Sequence, residues 1–296
     1  MSRLQARLLP DGRRLHLQDG PIDLVIGAEG RPAAVAAAFA AARGAMEGLL
    51  DALCTELATL RAPAGTAAPR GPVARRMAEA VRPFSAETFI TPMAAVAGAV
   101  ADKVLAAMRA AATLERAFVN NGGDIALHCA PGRALVAGLV DRPDRPGLFG
   151  RAEIRHGDGI GGIATSGWRG RSFSRGIADS VTVLARTAAE ADAAATVVAN
   201  AVDLPGHAAV RRVPAEAVQP DSDLGARLVT RDVGPLAAPE IAAALASGAA
   251  RAENLVARGL ILGAALQLQC MVRTVGRPGL LAPPPPAIRP EVARHA

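Results

Sequence analysis

Aromatic side chains are almost absent from this chain of 296 residues, since they make up only 2% of it and there is no tyrosine. A chain of this length buries roughly three quarters of its unfolded surface. Its core must therefore be built mostly from alanine, valine, leucine and isoleucine. Lysine is equally scarce, because Lys103 is the only one and arginine carries nearly all of the positive charge.

The arginines do not form the pattern of a nucleic-acid surface. The net charge is +6, but the arginines are scattered and interleaved with acids, whereas such a surface needs clustered basic residues with aromatic or helical readers. We therefore predict no nucleic-acid partner. The densest cluster, Arg169, Arg171 and Arg175, suits a small ligand that carries a phosphate group.

Cysteines and long apolar runs are also few. Cys54, Cys129 and Cys270 lie far apart and are odd in number, which argues against a secreted disulfide framework. Their spacing does not match that of a zinc site. The N-terminus lacks the apolar region of a signal peptide. No span of about 20 uncharged apolar residues suggests a membrane helix, so the sequence predicts a soluble cytoplasmic protein with no membrane partner.

Hydrophobic periodicity predicts strands and helices in alternation, which is an α+β pattern. We predict a single domain over residues 1–280, with the option of two intimately packed halves, and a disordered Pro-rich tail over 281–296. The predicted strands are 4–9, 15–18, 22–26, 117–119, 125–129, 134–140, 152–155, 180–185, 228–230 and 260–272. The predicted helices are 33–60, 73–81, one beginning at Thr91-Pro92, 188–201 and 239–258.

One acid and one hydroxyl in the second half of the chain have the spacing of a metal site. Asp192 and Thr196 stand four residues apart on the predicted helix 188–201, so they share one face. Together they offer two oxygens to Mg²⁺ or Ca²⁺. The alternative is that Asp192 only favours the helix N-terminus through the helix dipole.

Two glycine-rich turns have different interpretations. Gly122-Gly123, before Asp124, permits positive φ and leaves backbone N–H groups uncovered, which suits a phosphate, although a plain hairpin turn would use the same residues. Residues 157–162 match G-x-G-x-x-G, but a strand-like run follows them instead of a helix. We therefore reject a dinucleotide-binding loop there.

Four blocks resemble the ApbE-like superfamily. They are TPMAAVAGAVADKV at 91–104, NNGGDIAL at 120–127, the run from GIATSGWRGRSF to ATVVANAV at 162–202, and VTRDVGPLAAPEIAAALASGAARAENLVARGLI at 229–261. Together they cover most of residues 85–265. The chain is similar to the cytoplasmic UPF-type branch of bacterial and archaeal proteins, which is distinct from the FAD:protein FMN transferases.

The resemblance implies a fold and a site. The fold is ApbE-like and related to the tunnelling fold, with internally duplicated antiparallel sheets packed against helices. The better-known relatives use Mg²⁺ to split FAD and attach FMN to a threonine. Their metal ligands correspond to Asp192, Thr196 and a backbone carbonyl near Ala101, and the turn at Gly122-Gly123 would lie against the flavin nucleotide.

The sequence also departs from the flavin transferases. Their small-residue helix continues with a lysine–glycine pair, whereas Asp102-Lys103 follows Ala101 here. Their loop before the Ser-Val-Thr-Val strand carries a histidine, and Ser172 to Gly176 contains none. The acid/base group of the family is therefore missing from its expected place.

Two functional hypotheses follow. The first is a Mg²⁺-dependent enzyme, such as a transferase, that acts on a phosphorylated or flavin-nucleotide-like ligand such as FAD. Asp124 and Arg171 are its candidate catalytic residues, and the anion would be held by Gly122, Gly123, Thr165, Ser166, Gly167 and Arg169. The second is a non-catalytic binding or assembly protein that kept the fold. The hairpin-rich halves favour a homodimer in either case.

Overall fold

The computed structural model describes residues 3–140, 147–277 and 281–282. The strands are β1 (Gln5–Leu8), β2 (Arg14–Asp19), β3 (Ile22–Glu29), β4 (Arg116–Asn121), β5 (Asp124–Cys129), β6 (Ala134–Val140), β7 (Leu148–Arg155), β8 (Gly162–Ser166), β9 (Ser180–Ala185), β10 (Val210–Pro214), β11 (Leu228–Val233), β12 (Gly263–Leu268), β13 (Met271–Gly276) and β14 (Leu281–Ala282). The helices are α1 (Pro32–Met46), α2 (Leu49–Thr55), α3 (Leu57–Arg61), α4 (Pro72–Val81), α5 (Val96–Ala111), α6 (Ala188–Ala201), α7 (Ala215–Val218) and α8 (Ala238–Ala257).

Nine strands form one continuous sheet in the order β1-β2-β3-β4-β5-β8-β9-β12-β13. Every neighbouring pair in it is antiparallel. The sequence β2-β3, helices α1 to α5, β4-β5 is repeated in kind as β8-β9, helices α6 to α8, β12-β13. The α+β class and the antiparallel sheets are as predicted, and the two halves share this single sheet.

The sheet is covered on both faces near its centre. Helices α1, α4, α5, α6 and α8 pack on one face in a core that is mainly aliphatic. The three-stranded sheet β14-β7-β6 packs on the other face through a second cluster that includes Leu127, Ile154 and Leu184. All six residues of β9 are therefore buried, including Ser180 and Thr182, whose hydroxyls are hydrogen-bonded to the side chains of Gln267 and Thr165.

Local signals predicted several elements well. The N-terminal meander β1-β2-β3 pairs as expected, and α6 begins and ends at the predicted residues. Thr187 caps α6, since its hydroxyl accepts a hydrogen bond from the Glu190 amide at 3.2 Å. The run after residue 157 leads into strand β8, which confirms the rejection of a dinucleotide loop.

Three predictions about elements were wrong. The helix expected over 33–60 is divided by Gly48, which has φ of +68°, and again at Glu56. The strand expected over 260–272 is the hairpin β12-β13, turning at Gln269 and Cys270 with positive φ. Thr91 does not cap a helix, because its hydroxyl binds the Asp223 carboxylate and Pro92–Ala95 forms a 3₁₀ turn before α5.

The predicted tail begins with residues that pair with a strand of the small sheet. The first two residues of the predicted tail form β14, which pairs with Ala152 and Arg151 of β7, and residues 283–296 lie outside the described residues. The helical stretch Pro32–Thr55 has the length and mean hydropathy, 1.3, of a membrane-crossing helix, and 22% of it is buried inside the protein. Arg43 and the break at Gly48 interrupt this stretch.

Helices α5 and α6 approach each other more closely than side chains would allow. A Cβ on Gly98 of α5 would overlap the carbonyl of Ala188, and a Cβ on Gly162 of β8 would overlap the backbone of Thr187 and Ala188. The first turn of α6 is thus held between two glycines. Any larger residue at either position would force the backbones apart.

We predict that Gly98→Ala lowers the free energy of unfolding by about 1–3 kcal/mol, because its methyl group has only backbone to displace. The matched control is Gly44→Ala in α1, where the added methyl group meets nothing within 4 Å. That change should be neutral or stabilising by up to about 1 kcal/mol. Urea unfolding followed by circular dichroism measures both, and equal stabilities of the two variants would contradict the close approach.

Candidate functional site

Two aspartates from different halves of the chain lie close together beside the first turn of α5. Asp124 is the first residue of β5, and Asp192 lies in the second turn of α6. The charge of Asp124 raises the pKa of Asp192, so the two carboxyl groups lie close enough to interact electrostatically. Sequence analysis had placed Asp124 and Asp192 in one site, and the structure brings them together.

Asp192 caps a helix, but not its own. Its Oδ2 accepts a hydrogen bond from the Gly98 amide at 3.0 Å, and the Ala97 backbone also donates to it. These amides belong to the first turn of α5, whose N-cap residue Ala95 provides no side-chain cap. Orphan amides of this kind need an acceptor. Asp192 therefore completes the N-terminus of α5.

Asp102 performs the reciprocal role. It lies in α5, and its two carboxylate oxygens accept hydrogen bonds from the Ala188 and Ala189 amides of α6, each at 3.0 Å. Each helix thus contributes the aspartate that caps the other. Sequence reasoning missed this role of Asp102 because it depends on a contact 86 residues away.

Burial outweighs the helix N-termini in setting the acidity of these groups. Amides and a helix dipole favour the ionised carboxylate and lower its pKa. Burial nevertheless raises the pKa of Asp192 well above its ordinary range, with Asp124 as the second cause, and raises the pKa of Asp102 as well. Burial also raises the pKa of Asp124 to about 7, against the Thr165 amide and Arg171, which lower it.

Arg171 lies over the glycine turn that precedes Asp124. Its guanidinium occupies the space that a Cβ on Gly122 would fill, and its charge acts on Asp124. The Arg171 side chain is exposed and forms no ion pair within the described part of the chain. It is therefore free to meet an anion beside the carboxylate pair.

The turn itself is a two-residue hairpin. Gly122 and Gly123 have φ of +70° and +113° and connect β4 to β5. The Gly123 amide already donates to the Asn120 side chain at 2.8 Å. The hairpin interpretation is therefore correct, and the contribution of Gly123 to an anion site would require that hydrogen bond to break.

The residues at the end of β8 line the approach to the pair. Thr165 is exposed, its hydroxyl pairs with that of Thr182 at 2.9 Å, and its amide donates to Asp124. Ser166 is half-buried, whereas Gly167 is buried against the Asp179 carbonyl. Thr165 is thus the one of these three that contacts the carboxylate pair directly.

Arg169 has a structural partner. Its Nε donates to Asp179 Oδ1 at 2.7 Å, and its guanidinium stacks 4.2 Å from the centre of the Trp168 ring. Asp179 also accepts hydrogen bonds from the Trp168 ring and the Gln269 amide. Arg169 therefore fixes the loop onto the β12-β13 turn. This leaves Arg171 as the arginine that could bind an anion at the site.

Thr196 and Ala101 occupy the two remaining predicted positions. Asp192, Thr196 and Asn200 are half-buried along one side of α6, one turn apart. Ala101 is fully buried in α5, one turn beyond the amides that Asp192 contacts. Its carbonyl belongs to the hydrogen-bond ladder of the helix.

The donor set fits a hard divalent cation with few protein ligands. No cluster of three or more His, Cys, Asp or Glu side chains occurs in the part of the chain that the structure describes. The candidate ligands are therefore the carboxylates of Asp124 and Asp192 and the Thr196 hydroxyl. Mg²⁺ commonly uses one or two carboxylates, with waters and phosphate oxygens completing its shell.

Comparison with known proteins identifies the family of the chain. The model of a family described as AbpE bacteria matches residues 6–277. The chain belongs to this family. This match and the relatives below confirm the resemblance to the ApbE-like superfamily that the sequence motifs indicated.

Several relatives and one solved structure are similar to the chain. It is 39% identical to a UPF0280 protein of Methanopyrus kandleri over 142 residues, 48% of the chain and 54% of that protein. It is 38% identical to one of Methanospirillum hungatei over 135 residues, 42% and 50% respectively. The matched segment spans about half the length of these relatives. The apo flavinyl transferase ApbE of Pseudomonas stutzeri is a distant neighbour, with 12% identity, coverage of 92% and 93%, and a TM-score of 0.39.

The raised pKa of Asp124 predicts an unusual pH dependence of stability. Its ordinary value is 3.8 and its folded value is about 7, so between these values the folded protein holds a proton that the unfolded chain has lost. The stabilisation that Asp124 contributes to folding is fully present below its ordinary pKa and is lost as the pH rises through its folded pKa. Asp124→Asn removes this dependence. From about pH 4 to about pH 8, the unfolding free energy of the wild type should therefore fall relative to that of the variant.

Urea unfolding across this range tests the effect, with Asp158→Asn as a control whose pH dependence lies below this range. The pKa of Asp158 is lowered by the Arg155 amide and by Arg277. Its stabilisation is present above its ordinary pKa and is lost as the pH falls. If Asp124→Asn and Asp158→Asn show the same trend, the assignment of the raised pKa to Asp124 is wrong.

Proposed function

We propose that this protein binds a phosphorylated or flavin-nucleotide-like small molecule together with a divalent cation, and acts on it as a Mg²⁺-dependent transferase. The observation that carries the proposal is the half-buried pair Asp124 and Asp192, whose carboxyl groups interact electrostatically. In the described residues, neither carboxylate has an arginine, lysine or histidine within ion-pair distance. Two interacting carboxylates without such a partner are a place where a cation is favoured.

Each side chain has a defined part in this proposal. Asp192, Thr196 and Asp124 would hold the cation, with Ala101 as a further candidate through its carbonyl. When bound, the cation would polarise a phosphoryl oxygen of the ligand. Arg171 and the Gly122 turn would hold the anionic ligand, with Thr165 and Ser166 at its edge. Before the cation binds, Asp124, whose pKa burial raises to about 7, can exchange a proton at neutral pH. A bound cation would keep this carboxylate ionised.

A second function is a binding or assembly protein without catalysis. The reciprocal capping of α5 and α6 gives Asp192 and Asp102 a structural role that needs no ligand. The segment 172–176, which lacks histidine, also favours it. The two functions differ in whether Mg²⁺ binds and in whether a flavin nucleotide is turned over.

We expect Mg²⁺ to raise the melting temperature of the wild-type protein, and more so at pH 8 than at pH 6, because binding requires ionised carboxylates. At about 100 times the dissociation constant the gain is about 2.7 kcal/mol. Asp192→Asn should abolish it, while the asparagine oxygen can still accept the hydrogen bond from Gly98. Asp102→Asn is the matched control, since it also alters a helix-capping aspartate but should keep the response to Mg²⁺.

Calorimetry with FAD, FMN and ADP, with and without Mg²⁺, then distinguishes the two functions. Mg²⁺-dependent binding that is lost in Asp192→Asn would support the transferase and justify a search for transferred flavin. A Mg²⁺ response that persists in Asp192→Asn, or is lost equally in Asp102→Asn, would remove the cation from this pair.

Arg171→Ala should weaken binding of the phosphorylated ligand roughly tenfold or more, the worth of a charge-assisted hydrogen bond. It should leave the melting temperature unchanged, because the side chain is exposed and forms no ion pair. Arg169→Ala is the contrasting variant, since it breaks the Asp179 contact and should lower stability. Equal losses of binding and stability in Arg171→Ala would exclude Arg171 as an anion clamp.

Assembly and location complete the proposal. We extend it to a cytoplasmic homodimer, supported by exposed apolar residues on the outer face of the small sheet, where Val136 and Leu148 are 64% and 61% exposed. Light scattering gives the mass in solution. A monomer at micromolar concentration would end this part of the proposal.

A further inference from the structure

A strongly basic cavity of about 510 Å³ lies at the C-terminal end of α6, and neither Asp124 nor Asp192 lines it. Its wall contains the arginines Arg175, Arg212, Arg227 and Arg251 and the acids Glu87 and Asp203. The formal charge of these six side chains is +2. The volume is within the range of small-molecule sites.

The acids of the cavity are already engaged. Asp203 pairs with Arg212, and Glu87 binds both Arg251 at 2.5 Å and Arg258 at 2.7 Å. These contacts lower the pKa of Glu87, with Arg251 as the largest cause. Both acids are therefore engaged by other arginines, and neither compensates the charge of Arg175 or Arg227.

Arg175 and Arg227 supply the unbalanced charge. Arg227 stacks 3.3 Å from the centre of the Phe89 ring and forms no ion pair with an acid in the described chain. The Arg175 side chain is half-buried and has no hydrogen-bond or ion-pair partner among the described residues. A half-buried guanidinium without an anion is unfavourable, and it faces a cavity large enough to hold one.

One neutral donor, the side-chain amide of Asn200, faces the same cavity. The Asn200 Oδ1 accepts from the Arg175 amide at 2.8 Å and from the Ser174 hydroxyl at 3.3 Å. Its Nδ2 is thereby left to donate, and Asn200 lines the cavity. The backbone of Arg175 is thus fixed while its side chain and the Asn200 amide group remain available. Such convergent donors match the oxygens of a phosphate group.

We propose that this cavity is an anion site for the phosphate group of a small ligand, separate from the carboxylate pair. Asp192 and Asn200 are eight residues apart on α6, which is about 12 Å at 1.5 Å per residue. The site therefore needs no cation, and it does not depend on the function proposed for Asp124 and Asp192. Arg175 and Arg227 are its binding residues.

Calorimetry with inorganic phosphate and pyrophosphate, in EDTA to remove divalent cations, tests this site. Wild-type protein should bind one or both at millimolar concentration or better. Arg175→Gln should weaken binding about tenfold or more, the loss of one charge-assisted contact. The matched control is Arg43→Gln, an exposed arginine on α1, which makes the same change in net charge and should leave binding unchanged.

A second variant protects the test against misfolding. Leu228 lines the cavity and is 53% exposed, so Leu228→Glu adds a negative charge without disturbing a buried contact and should also abolish phosphate binding. Asp192→Asn should retain phosphate binding in EDTA while losing its response to Mg²⁺. Absence of wild-type binding, persistence in both cavity variants, or loss in Asp192→Asn would overturn the proposal.

Discussion

The contact between the first turns of α5 and α6 constrains everything near the candidate site. Gly98 lets the two backbones touch, and the touching ends leave amides that water cannot reach freely. Asp192 and Asp102 satisfy them from inside the opposite helix. Because each half of the chain supplies one cap to the other, the two halves cannot separate without exposing both helix ends and the two half-buried carboxylates that cap them.

This arrangement holds two opposing electrostatic effects in balance. Helix N-termini and amide donors stabilise an ionised carboxylate, typically by 0.3–1 kcal/mol at exposed sites, up to about 2 kcal/mol. Burial opposes ionisation, and here it dominates, since the pKa of Asp124, Asp192 and Asp102 all move upward. A cation near Asp124 and Asp192 would reverse the balance. The same residues therefore serve the fold and the proposed chemistry, and only isosteric amide substitutions separate the two roles.

Sequence alone predicted what is local. Helix α6 was predicted to the residue because a run rich in alanine and valine follows a strand with a change of period within a short window. Long-range contacts decided the rest. Thr91 has the sequence of a cap, but Asp223 takes its hydroxyl across 132 residues. The β12-β13 turn contains no glycine, and its positive φ values are held by Gln269 contacts to Leu236, Gly234 and Asp179.

The arginines show the same division between local signal and tertiary partner. Arg169, Arg171 and Arg175 form one cluster in sequence, yet the first is bound to Asp179, the second lies over Gly122, and the third lines the basic cavity. Helix α6 connects the last two environments, with Asp192 at one end of its half-buried side and Asn200 at the other. A phosphate or diphosphate is too short to occupy both ends, which lie about 12 Å apart. If both regions bind anions as proposed, they would recognise separate ligands or distant groups of one extended molecule.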